Sequence, residues 1–139
     1  RFYLAHTRWV NNWDLVDLSA HLIVGPQIFS GDQTLLQTLS GSASLWERRI
    51  AILATFHFIR QGRFDETLAL AAKYLGDRED LMHKATGWML REVGKRDPAV
   101  LRAFLSRHGA HMPRTMLRYA IEKFSAAERK KWLASTKRV

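Results

Sequence analysis

A chain of 139 residues that is 47% apolar, 25% charged and 11% aromatic has the make-up of one globular domain, long enough to bury about two-thirds of its extended surface. The absence of cysteine excludes a disulfide framework, a thiolate zinc site and a cysteine nucleophile, and it suits a reducing compartment such as the cytoplasm; no run approaches the roughly 20 apolar residues of a membrane helix. The net charge of +9 is unevenly placed, because residues 1–83 carry 8 basic and 9 acidic side chains whereas residues 84–139 carry 14 and 4.

The predicted elements are all helical. Period-two runs of β-branched residues are absent, and the glycines and prolines fall between helical patterns. Residues 1–9 read as the end of a helix; because the chain opens Arg1-Phe2-Tyr3-Leu4, it is expected to be a piece of a longer protein. Asn11 and Asn12 are good N-cap residues for an amphipathic helix over 13–24, closed near Gly25-Pro26. A short helix is predicted over 33–39. Ser44, with Glu47 three residues on, gives the capping-box pattern for a helix that runs to about Gln61 and stops at Gly62. Further helices fit 64–75, 80–95, 98–106 with Pro98 in the first turn, 114–123, and 125–134 capped by Ser125. The links are short, so successive helices are expected to pack antiparallel. The layout predicts an all-α domain over residues 1–139, built of HEAT- or armadillo-like helix pairs stacked into a superhelical solenoid.

Polar residues interrupt the apolar stripes at several points. Trp13, Val16, Asp17 and Ala20 share one side of the 13–24 helix. The 45–61 helix has the stripe Leu45, Arg49, Ile52, Leu53 and Phe56, with Arg48 beside Arg49. The 80–95 helix has the core stripe Leu81, Ala85 and Met89, with Trp88 to one side between Lys84 and Arg91. A carboxylate or guanidinium at a semi-buried phase is costly unless it is paired or used. Asp17 and Arg49 fit either a structural ion pair or a site, and Trp13 and Trp88 fit either core or site. The basic half fits either a polyanion partner or a solvated surface. His108 and His111 have ligand-like spacing but no nearby third acidic ligand, so a solvated turn is expected rather than a metal site. No phosphate-cradling glycine loop and no nucleophile elbow is present.

Asn12-Trp13-Asp14-Leu15-Val16-Asp17 resembles the Trp-Asp-x-Val-Asp signature of the DNA alkylation repair family, the AlkD-like DNA glycosylases. The segment 45–53, Leu-Trp-Glu-Arg-Arg-Ile-Ala-Ile-Leu, resembles its Trp-x-x-Arg segment. Residues 84–92, Lys-Ala-Thr-Gly-Trp-Met-Leu-Arg-Glu, resemble its Lys-Ala-x-Gly-Trp-x-Leu-Arg-Glu segment, and 117–123 resembles a common ending. The resemblance covers nearly the whole chain in order, and it implies the C-terminal portion of such a protein, without its first helices.

The resemblance further implies a HEAT-like superhelix whose basic concave face holds double-stranded DNA. It implies hydrolysis of the N-glycosidic bond of cationic N3- or N7-alkylated purines, by a monomer with no cofactor, metal or membrane partner. Trp13, Asp17, Arg49 and Trp88 correspond to the catalytic cleft, and Arg48, Arg49, Lys84, Arg91 and Arg118 are expected to face DNA. The family reads the duplex from its backbone, without a deep pocket for an everted base. Two other functions fit the same scaffold: a non-catalytic DNA-binding module and a protein-interaction scaffold.

Overall fold

Residues 33–135 are described by a computed structural model; the expected helices over 1–9 and 13–24, with Trp13 and Asp17, lie outside the described residues. Seven α-helices and no strand occur among the described residues: α1 (Gln33–Ser40), α2 (Leu45–Arg60), α3 (Asp65–Lys73), α4 (Asp80–Arg96), α5 (Pro98–His108), α6 (Arg114–Ala120) and α7 (Ala126–Ala134). Short 3-10 turns, Tyr74–Gly76 and Gly109–His111, extend α3 and α5.

Local chemistry sets most of the boundaries. The Ser44 side chain accepts from the Glu47 N–H at 3.4 Å and starts α2, while Ser125 accepts from the Glu128 N–H at 3.2 Å and starts α7. Pro98 stands in the first turn of α5, where its missing N–H has no helical partner to lose. α2 ends in a paired closure: the Arg63 N–H donates to the Phe58 carbonyl at 2.9 Å and the Gly62 N–H to the Ile59 carbonyl at 3.0 Å. That geometry places Gly62 at φ +82°, a conformation that favours glycine. α6 stops three residues short of the predicted 123. There the Ile121–Phe124 turn, closed by a Phe124 N–H to Ile121 carbonyl bond of 2.9 Å, redirects the chain into the Ser125 cap.

α4 is the organising element. It packs against α2 and α6, its second neighbours along the chain, and also touches α3 and α5. One cluster joins Ile50, Ile52, Leu53 and Phe58 of α2 to Met82, Ala85, Met89 and Val93 of α4. A second joins Leu90 of α4 to Leu101 and Leu105 of α5 and Met116 and Leu117 of α6. Burial of each of these side chains larger than alanine contributes about 1.5–3 kcal/mol relative to leaving it in water.

The expected stripes need two corrections. α2 is buried continuously from Arg49 to Thr55, because α1, α3 and α4 all pack on it, and a single stripe does not describe it. On α4 the core position is Met82 rather than Leu81, which stays partly exposed. The two are about 100° apart on the helix, and with neighbours around much of α4 only the packing decides between them.

Glu92 on α4 is a buried carboxylate. Arg96 donates to its Oε1 at 3.0 Å and Lys95 to its Oε2 at 3.3 Å. Burial by itself raises the carboxyl pKa, but these charge-assisted bonds outweigh it and hold Glu92 below its ordinary 4.5. A depressed carboxyl pKa adds stability above the unfolded value and loses it as pH falls through the folded one. The stability difference between wild type and Glu92→Gln is therefore expected to be present near neutral pH and to vanish in acid. Urea unfolding at about pH 7 and about pH 3 checks this; a pH-independent difference would refute it.

Candidate functional site

Arg49 stands in the middle of α2 and is only 4% exposed. A guanidinium so placed must be partnered, and one of its partners is the Leu81 carbonyl, reached by an NH1 donor at 2.7 Å. Leu81 lies in the first turn of α4, so this bond ties mid-α2 to the start of α4. Lys84 and Trp88 follow along α4 at i, i+4 spacing and thus share a face. Trp88 is half-buried, its inner side packed on the first core cluster. Arg49, Leu81, Lys84, Trp88 and Tyr119 of α6 together line one open cleft of about 310 Å³. Among the described residues, two cations and two aromatic rings meet there. Asp80 approaches Lys84 at 3.6 Å, but both are well exposed, so the pair is weak.

Tyr119 enters the cleft because α6 lies very close to α4. The approach is tight at Gly87: a Cβ there would stand 2.5 Å from the Met116 carbonyl oxygen and 2.6 Å from Tyr119 Cβ. Only the missing side chain lets the two helices meet and bring Tyr119 to the lining that Trp88 shares.

The family model for DNA alkylation repair enzyme matches residues 1–124. The chain belongs to this family. No curated protein and no solved structure matches it. In this DNA alkylation repair family member the matched span includes all of α1 to α6, so the whole cleft lies inside it. Membership gives the chain a role in DNA repair, and DNA is the partner against which the cleft is to be judged.

Three of the expected site residues of this family member, Arg49, Lys84 and Trp88, share the cleft. Asp17 and Trp13 lie outside the described residues. Arg91, one turn beyond Trp88, is ion-paired with Glu122, and its Nε is buried without a hydrogen-bond partner. Arg118 is exposed on α6. Arg48, though next to Arg49, is directed elsewhere. Its Nε donates to Asp77 Oδ2 at 2.9 Å, and its NH1 to the Ser42 and Ala43 carbonyls at 3.1 and 3.0 Å. It staples the α1–α2 link to the segment before α4. Tyr119 was missed by sequence reasoning. The available signal was an aromatic residue on a polar phase, between Arg118 and Glu122 and one residue before the buried Ala120.

The remaining chemistry is sparse. Among the described residues no group of three or more His, Cys, Asp or Glu is placed to hold a metal, and no helix is long and apolar enough to cross a membrane. His108 packs its ring on Phe104, with centroids 4.6 Å apart. A second cavity, of about 410 Å³, has Arg91, Lys95, Arg102 and Lys123 in its lining. Arg102 there is forked onto Glu128, through Nε at 2.8 Å and NH2 at 3.1 Å, which moors α7 to α5.

Proposed function

We propose that this protein is a DNA glycosylase that hydrolyses the N-glycosidic bond of cationic N3- or N7-alkylated purines in double-stranded DNA. The observation that carries the reading is the shared cleft. Arg49, Lys84 and Trp88, on two different helices, converge on one surface in a chain of the DNA alkylation repair family. The packing of α4 between its second neighbours α2 and α6 supports reading the domain as HEAT-like helix pairs stacked into a superhelix.

The chemistry suits these residue types. Alkylation makes the base a cation, so it leaves as a neutral purine and needs no strong general acid. The C1′–N bond breaks and takes its electron pair to the base. Water then adds to C1′ and loses a proton, leaving an abasic sugar. The transition state has cationic character at the sugar, which an ionised Asp17 stabilises while it orients the water. Trp13 and Trp88 face the cationic nucleotide with their π-faces, worth on the order of 0.5–2 kcal/mol each. Arg49 and Lys84 face backbone phosphates, with Arg91 and Arg118 further out. Arg48 is omitted from this set, since its donors hold Asp77 and two carbonyls.

Incubating the protein with methylated duplex DNA and separating the released bases tests the reading. Release of 3-methyladenine or 7-methylguanine is expected. Duplex binding without release would favour a binding-only module, and affinity that does not change with salt would favour a protein scaffold.

Arg49→Ala is expected to weaken binding of lesion-bearing and undamaged duplex alike. It should also flatten the salt slope by about one unit, as for one lost phosphate contact. Thermal melting of the same variant reports the lost tie to the Leu81 carbonyl separately. Reduced lesion selectivity with an unchanged slope would show that Arg49 is not a phosphate contact.

A further inference from the structure

We propose that Tyr119 is a DNA-backbone contact at the rim of the Trp88 cleft, its ring laid against a deoxyribose and its hydroxyl donating to the adjoining phosphate. This rests on the reading above that duplex DNA occupies the cleft.

Three observations carry it. Tyr119 is the one large hydrophobic side chain that is exposed among the described residues, at 37%, while Met116, Leu117, Ala120 and Ile121 around it are buried. It lines the same cleft as Arg49, Lys84 and Trp88. Its position is also built rather than incidental. The helix-to-helix contact that seats it requires glycine at 87, the residue before Trp88, because a Cβ there would fall 2.6 Å from Tyr119 Cβ and 2.5 Å from the Met116 carbonyl.

Electrostatics selects the ligand part. Among the described residues the lining holds the cations Arg49 and Lys84, which attract a phosphate. A tyrosine combines an apolar face that suits a sugar with an O–H that suits a phosphate oxygen. Such a contact fixes register without reading sequence or lesion.

The test is equilibrium binding of the protein to two probes, an undamaged duplex and the same duplex carrying one 7-methylguanine. Melting and base-release kinetics run alongside. Tyr119→Phe, which removes only the hydroxyl, is expected to weaken binding of both duplexes about threefold, and Tyr119→Ala about tenfold. Where base is released, the loss falls on KM rather than kcat. Tyr119→Phe should melt with wild type. Unchanged binding would overturn the proposal. So would a loss confined to the 7-methylguanine duplex, a fall in kcat alone, a lowered melting temperature for Tyr119→Phe, or a wild-type protein that binds no duplex. Because the undamaged duplex needs no catalysis, failure of the glycosylase reading would show separately, as wild-type binding without base release.

Discussion

Asp17→Asn is expected to lower base release by about 100- to 1,000-fold while leaving duplex affinity unchanged or tighter. The carboxylate is proposed to act on charge that exists only as the glycosidic bond breaks, so its removal should act on kcat. In the ground state an anion near phosphates opposes binding, so the neutral amide should not weaken it. Single-turnover release and equilibrium binding on the same protein separate the two effects. A parallel loss of folding stability and activity would instead mark Asp17 as the structural ion-pair partner of Arg49. The test is informative because both roles are compatible with the residue's place in the sequence, four residues after Trp13.

Gly87→Ala is expected to destabilise the fold by about 2–3 kcal/mol, against the general trend for helices. In an exposed helix interior this exchange gains about 1 kcal/mol, because alanine is the better helix former. At position 87 the added methyl would meet the Met116 carbonyl at 2.5 Å and Tyr119 Cβ at 2.6 Å. A carbonyl inside a helix cannot step aside as a flexible side chain can, so α6 must move away from α4. Leu90, Met116 and Leu117, which join the two helices in the second core cluster, would lose contact. Tyr119 would shift with them, so duplex binding is expected to weaken in the fraction that still folds. Urea unfolding checks the first effect and duplex titration the second. A variant as stable as wild type would show that the two helices are not held together at this point.

Arg49, Lys84 and Trp88 were legible as candidates because the segments 45–53 and 84–92 are short and each sits within one helix. Lys84 and Trp88 lie four residues apart, so once the 80–95 helix was recognised they had to share a face. Arg49 stood out as a charge at an apolar phase, and it is buried. The adjacent pair Arg48 and Arg49 could not be told apart in this way. Successive residues on a helix diverge by about 100°, and what each guanidinium meets depends on chain distant in sequence. Arg48 meets Asp77 and Arg49 meets the Leu81 carbonyl, 29 and 32 residues away. Tyr119 was hidden for the same reason, since nothing on its own helix indicates which neighbour it faces.

By itself the sequence determined what local interactions control: helices and no strand among the described residues, the Ser44 and Ser125 caps, Pro98 in a first turn and the stop at Gly62. Each rests on bonds or φ angles within a few residues, so short segments suffice to specify them. Tertiary structure alone decided that Met82 rather than Leu81 enters the core and that α2 is buried through several successive residues rather than on one stripe. It also decided that Tyr119 joins Arg49, Lys84 and Trp88. The physical reason is common to these cases. Hydrophobic burial is non-directional, so an apolar pattern states how much surface must be covered but not which neighbour covers it. That choice is made by packing between helices, here by how closely α4 and α6 approach at Gly87.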